Sequence, residues 1–249
     1  MASPFEGPRT AVVTGGARRI GAAICRALAA DGWRLLIHYR RSRGEAEALA
    51  TELGDARTVA ADLADPAAAQ AIVAALDGLP PARLLVNNAS LFRYDRADDF
   101  TLEGWNAHLD SNLRGPALLS QALAGSLGLV VNLLDAKLAA PNPDFFSYTV
   151  SKFGLAGMTE LLARAWAARG IRVCGIAPAV TLVSGGQRNF EAVHALNPLG
   201  RGVEVEEIVA ALRFIIATPT FTGQTLVLDG GQRFLSLPRD VQFLEPDDG

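Results

Sequence analysis

Tyr148 and Lys152 stand four residues apart in the run Tyr148-Thr149-Val150-Ser151-Lys152. On a helix that spacing puts both side chains on one face, a turn apart. A free phenol titrates near pH ~10, and a neighbouring ammonium favours the phenolate, so the pair suits a phenol that must release a proton near neutrality. The chain holds three Tyr and 23 Lys plus Arg, of which two are Lys. Chance pairing at this spacing is therefore uncommon, and an exposed aromatic–cation pair is the plainer alternative for the motif alone.

The elements that must position this pair are read from pattern. Residues 9–14 form a short β-branched run before Gly15-Gly16, and Ala17-Arg18-Arg19-Ile20-Gly21 opens an apolar-periodic helix through Ala22, Ile24, Cys25 and Leu28. Strand, glycine turn and helix N-terminus together suit a pyrophosphate, because the backbone can approach closely and its N–H groups are oriented; an ordinary βα turn is the alternative. A second strand, 34–39, ends in Arg40-Arg41-Ser42-Arg43. No carboxylate stands there for a ribose 2′-hydroxyl, whereas arginines suit a 2′-phosphate, so NADPH is the expected cofactor. Further strands are expected at 57–61, 83–86, 129–134, 172–176 and 225–228, with helices at about 112–125, 147–168 and 205–216. Regular alternation of this kind predicts a single-domain α/β fold: a Rossmann-like doubly wound parallel sheet with helices on both faces.

Composition narrows the function classes. The chain has 249 residues, half of them apolar, and a net charge of −3, which supports one packed domain and argues against a nucleic-acid face. Cys25 and Cys174 fall in apolar patterns and read as buried thiols of a reducing, cytoplasmic setting. Residues 115–134 are uncharged, but their Gly, Pro, Ser, Gln and Asn suit a helix, a break and a buried strand better than a membrane span. The start lacks a signal-peptide pattern. Residues 1–8 are expected to be a flexible N-terminus, 9–236 the folded domain and 237–249 a C-terminal tail. No metal site is expected.

Thr14-Gly15-x-x-x-Arg19-x-Gly21, Asn87-Asn88-Ala89 and Tyr148-x-x-x-Lys152 together resemble the short-chain dehydrogenase/reductase superfamily, in order, over roughly residues 8–235. Most members carry Gly at the position of Arg19; pteridine reductases resemble this chain in carrying Arg there. They also resemble it in having Asp at the position of Asp135, where most members place a Ser hydroxyl, and a Phe at the position of Phe92, which stacks on the pterin. The resemblance implies cofactor contacts from Gly15, Arg18, Arg19, Ile20, Gly21, Tyr39, Arg40, Arg41, Ser42, Asp62, Leu63, Asn88, Ala89, Ser90, Tyr148, Lys152 and Pro178. It implies substrate contacts from Arg19, Ser90, Phe92, Asp135 and Tyr148, and a catalytic set of Asp135, Tyr148, Lys152 and Asn112. Pro178-Ala179 departs from the usual Pro-Gly, which puts backbone freedom there in doubt. The segment after Thr181 is expected to cover the substrate. A homotetramer is implied too, with Leu118, Leu119, Leu123, Leu155, Met158 and Leu162 available to an interface or to the core.

The chemistry of Asp135 bears on the substrate. An ionised carboxylate repels a developing alkoxide, while a protonated one can donate and an ionised one can accept from an N–H-rich ring. The expected reaction is NADPH-dependent reduction of a dihydropterin, with hydride going to C6 and a proton to N5. Lys152 is expected to lower the Tyr148 pKa, and either Asp135 or Tyr148 can deliver the proton. A generic reductase of 3-oxoacyl or sugar carbonyls keeps every cofactor argument but gives Asp135 and Phe92 no role. A non-catalytic NADPH-binding protein leaves Asn112, Tyr148 and Lys152 without one.

Overall fold

Successive side chains of a strand point to opposite sides of a sheet, and here both sides are apolar. In the computed structural model, which describes residues 5–183 and 190–244, Ala11, Val13, Leu35, Ile37, Leu84 and Val86 enter one core cluster. The residues between them, Val12, Leu36 and Leu85, enter a second cluster on the other side. The strands are β1 (Thr10–Val13), β2 (Arg34–Tyr39), β3 (Ala56–Ala60), β4 (Ala82–Asn87), β5 (Leu129–Leu133), β6 (Arg172–Pro178) and β7 (Thr225–Leu228). They form one seven-stranded sheet in the order β3-β2-β1-β4-β5-β6-β7, every pairing parallel.

Helices cover both faces, as the doubly wound reading requires. On the first face lie α1 (Arg19–Ala30), α2 (Arg43–Leu53) and, near the end of the chain, α8 (Val205–Ala217), which bury Ile24, Leu28, Ala46, Leu49, Ile208 and Leu212. The second face holds α3 (Ala68–Ala74), α5 (Gly115–Leu123) and α6 (Phe146–Trp166). Before α5 comes α4 (Leu102–Leu109), and the short α7 (Phe190–His194) precedes α8. The chain order reverses between β1 and β4, and the crevice beyond the carboxyl ends of such strands is where ligands of open α/β sheets bind.

Several expectations need correction. The helix expected at 112–125 belongs to a longer run: α4, a π-helical turn over Asp110–Arg114, and α5. Of the residues available to an interface or to the core, Leu119, Leu123 and Leu155 are buried within the protomer, and Leu118, Met158 and Leu162 are partly buried against the core. Phe153 and Leu161 are the large apolar residues that α6 exposes. The N-terminal segment is anchored as far back as Phe5, whose ring meets Trp33 edge-on at 5.4 Å. Nor does the chain hang free from residue 237: Val241 is buried, and Arg239 and Asp240 bond to Asp144, so 237–244 packs on the domain. Residues 1–4, 184–189 and 245–249 lie outside the described ones, and with them part of the expected substrate-covering segment and of both termini. No helix among the described residues is long and apolar enough to cross a membrane.

Candidate active site

At the carboxyl ends of the strands lies a cavity of about 760 Å³. Its near end is the glycine turn after β1. Gly15 takes φ +61°, and a Cβ on Gly21 would stand 2.2 Å from the Gly15 carbonyl oxygen, so only glycine fits at residue 21. Asn88 braces this turn: its side-chain amide donates to the carbonyls of Thr14 (2.9 Å) and Gly15 (3.1 Å). Thr14 Oγ1 in turn accepts from the backbone N–H groups of Asn88 and Ala89, both at 3.0 Å. From β2, His38 Nδ1 accepts from the Gly15 N–H (3.1 Å), which leaves Nε2 to donate to the Ala61 carbonyl (3.0 Å). Burial holds its pKa below the ordinary value, keeping it neutral and able to accept. Sequence reasoning assigned His38 no role in this loop.

Arg19 follows the turn with φ 55°, in the left-handed region that glycine prefers. The same position carries Gly in most proteins the sequence resembles, and the backbone gives the reason. Its guanidinium donates to the Val183 carbonyl at 2.8 Å, tying the phosphate turn to the segment after β6. Beyond β2, Tyr39, Arg40, Arg41 and Ser42 line the next part of the cavity, with Asp62 and Leu63 beside them. Arg40 lies 3.8 Å from Asp62, a loose exposed pair that leaves the guanidinium available. Arg18 pairs equally loosely with Glu45 at 3.5 Å. A tight glycine turn, a helix N-terminus and the two arginines that follow β2, all lining one cavity, fit a dinucleotide bearing a 2′-phosphate.

At the far end α6 presents Tyr148 and Lys152 from one face, as their spacing requires, and both are buried. Tyr148 Oη donates to Asp135 Oδ2 at 2.7 Å. Asp135 ends the loop after β5 and caps a following turn, accepting the Lys137 N–H on Oδ1 at 2.8 Å. Burial raises the Asp135 pKa from its ordinary value, against its hydrogen bonds and the Lys152 charge. Burial also holds Tyr148 well above its ordinary value, reinforced by the charge and hydrogen bond of Asp135. The expectation that Lys152 lowers the Tyr148 pKa therefore needs revision: a desolvated phenol facing a carboxylate keeps its proton. Lys152 is itself pushed down to about 8 by burial, and its ammonium donates to the Leu133 carbonyl at 2.7 Å.

Asn112 stands in the π-helical turn and behind the cavity wall. Its amide donates to the Leu91 carbonyl (2.9 Å) and Ser151 Oγ (3.0 Å), and its oxygen accepts from the Leu91 N–H (2.7 Å). It thus fixes the loop that carries Ser90 and Phe92. Phe92 stacks on Phe145 (4.2 Å between centroids, 19°) and meets the Tyr148 ring edge-on (4.7 Å), and it also lines the cavity. Pro178 and Ala179 form the opposite wall; Ala179 lies outside the left-handed region and donates to the Leu228 carbonyl at 2.8 Å, so Gly is not required there.

The sequence missed the polar wall at this end. Lys137, Asp240, Val241 and Gln242 all line the cavity, and Lys137 Nζ donates to the Asp144 carbonyl (2.6 Å) and Asp240 Oδ2 (3.2 Å). Some 100 residues separate Lys137 from Asp240, so no spacing rule joins them. Among the described residues no cluster of His, Cys, Asp and Glu could hold a metal.

The short chain dehydrogenase family model matches residues 9–193, and the chain belongs to that family. A FolM alternative dihydrofolate reductase 1 from Brucella suis, crystallised with NADP, is 41% identical, with a TM-score of 0.86 over 90% of this chain and 95% of that one. Its counterpart from Brucella canis, also complexed with NADP, is 39% identical, with a TM-score of 0.88 over 100% of this chain and 99% of that one. Curated relatives point elsewhere. A D-threitol dehydrogenase of Mycolicibacterium smegmatis is 35% identical over 90% of this chain and 92% of its own length. A 3-oxoacyl-[acyl-carrier-protein] reductase of Synechocystis is 32% identical over 90% and 96%.

Proposed function

We propose that this oxidoreductase uses NADPH to reduce a dihydropterin to the tetrahydropterin. The observation that carries the reading is the Tyr148–Asp135 hydrogen bond at the end of a cavity that also holds Phe92 and the arginines after β2. NADPH, when bound, supplies the hydride. Gly15, Gly21 and the N-terminus of α1 cradle its pyrophosphate, and Arg40, Arg41 and Ser42 hold its 2′-phosphate. Lys152 binds the nicotinamide ribose. Phe92 offers an apolar face to the flat ring of the substrate, and Asp135 and Tyr148 face its N–H-rich edge. The pair keeps a proton at neutral pH and gives it to N5 as C6 accepts the hydride. Similarity to FolM structures crystallised with NADP supports both halves of this reading.

Carbonyl reduction is the second reading, favoured by the similarity to the 3-oxoacyl reductase and the sugar-alcohol dehydrogenase. Oxidation of NADPH with 7,8-dihydromonapterin or 7,8-dihydrobiopterin, beside an acetoacetyl thioester and a ketose, separates the two. Turnover of the dihydropterin, lost in Asp135→Ala, is the expected result. Turnover confined to the carbonyl compounds would overturn it.

A further inference from the structure

Beyond the expected catalytic residues, a second carboxylate stands behind the acid pair. Asp240 arrives on the C-terminal segment, which Asp144 clamps by accepting from Arg239 Nη2 (3.0 Å), Arg239 Nε (3.2 Å) and the Asp240 N–H (2.9 Å). Val241 is buried beside it, and Phe243 stacks on Phe145 at 5.8 Å. Asp240 Oδ2 then meets Lys137 Nζ at 3.2 Å, with the two side chains only 14% and 8% exposed. Lys137 is also the residue whose backbone N–H holds Asp135 Oδ1. A chain of contacts thus runs from Asp240 through Lys137 to Asp135 and Tyr148.

We propose that Asp240 is a positioning residue of the Asp135–Tyr148 acid pair, neutralising Lys137 so that the pair keeps its proton at working pH. This rests on the reading of that pair as the proton source, whatever the substrate. The charged and titratable groups around the pair include Lys152 from α6, Lys137 and Asp240 at the far wall with the Asp144–Arg239 pair behind them, the His108 ring from α4, 6.2 Å from Tyr148, and Asp95, which accepts from the Ser147 N–H. His108 is neutral: burial lowers its pKa, and its Nε2 accepts from the Arg93 N–H. Asp240 therefore supplies a negative charge from outside the pair, and it raises both members. Removing that charge leaves Lys137 unpaired and favours the ionised pair.

The test is titration of the [ζ-13C]tyrosine resonances of the full chain without substrate, with the Tyr148 signal assigned by Tyr148→Phe. Asp240→Asn should move the Tyr148 ionisation down by about half a pH unit or more, and Asp240→Glu should restore it. The alkaline limb of kcat/KM for whichever substrate turns over should fall by the same shift. An unchanged Tyr148 titration in Asp240→Asn, or a shift that Asp240→Glu does not reverse, would overturn the proposal. Failure on dihydropterin but not on carbonyl compounds would sink the pterin reading alone, because the tyrosine titration needs no substrate.

Discussion

Tyr148 gives its phenolic hydrogen to Asp135, thirteen residues earlier in the chain, at 2.7 Å. Burial opposes ionisation of either group, and the carboxylate adds to this, because its charge and hydrogen bond oppose a phenolate. The two groups titrate as a coupled unit that holds a proton.

Replacing Asp135 should accordingly change substrate preference and not merely weaken the enzyme. Asp135→Ser should lower kcat/KM for a dihydropterin by about 10²-fold or more, the usual scale for losing a proton-transfer partner. It should hold or raise turnover of a simple ketone, since a neutral hydroxyl can donate to the carbonyl. Steady-state kinetics on both substrates check this; parallel loss on both would show that Asp135 does not select the substrate.

Lys152 makes a prediction about stability. Its folded-state pKa is about 8, against an ordinary value of 10.5. The unfolded chain thus binds more protons between those pH values, and stability from this group rises with pH across the window. Below pH ~8 the buried ammonium is a load that Lys152→Met removes, on the order of 3 kcal/mol at most. Urea midpoints should favour the variant near neutrality and converge with wild type as pH rises towards 10.5. A gap independent of pH would mean that burial does not depress Lys152.

How far the molecule could be read from its sequence follows the range of each contact. Every strand was legible to within two residues at either end, because β-branched runs and glycine turns are local signals. The Tyr148 and Lys152 geometry was legible because a helix fixes i, i+4 neighbours. The π-helical turn at Asn112 was not, since its signal lies in packing against Leu91 and Ser151. Neither was the Lys137–Asp240 wall, where two unremarkable charges meet only because Asp144 and Phe145 seat the C-terminal segment. Lys152 lowering Tyr148 failed for a related reason: motif logic counted one charge and omitted burial and Asp135.

The arginines after β2 should set cofactor preference. Both are exposed, so their value lies in a ligand's phosphate and not in the fold. Arg40→Ala with Arg41→Ala should raise KM for NADPH by roughly 10- to 100-fold and leave KM for NADH within about twofold, because only the former carries a 2′-phosphate. Thermal melting without cofactor should be unchanged. Equal losses with both cofactors would place the 2′-phosphate elsewhere.

Arg19 offers a test of backbone against side chain. Its φ of 55° lies where a Cβ is strained, while its guanidinium reaches the Val183 carbonyl. Arg19→Gly and Arg19→Ala both remove the guanidinium, but only glycine relieves the strain. In an ordinary helical position alanine is the more stable by about 1 kcal/mol. Here the order should invert, with Arg19→Gly melting roughly 2–4 °C above Arg19→Ala, as expected for about 1 kcal/mol in a chain of this size. Both variants should bind NADPH more weakly than wild type, because the tie between the phosphate turn and Val183 is gone. Paired melting curves and cofactor titrations read the two effects separately, and a higher melting temperature for Arg19→Ala would show that the turn relaxes out of the left-handed region at no cost.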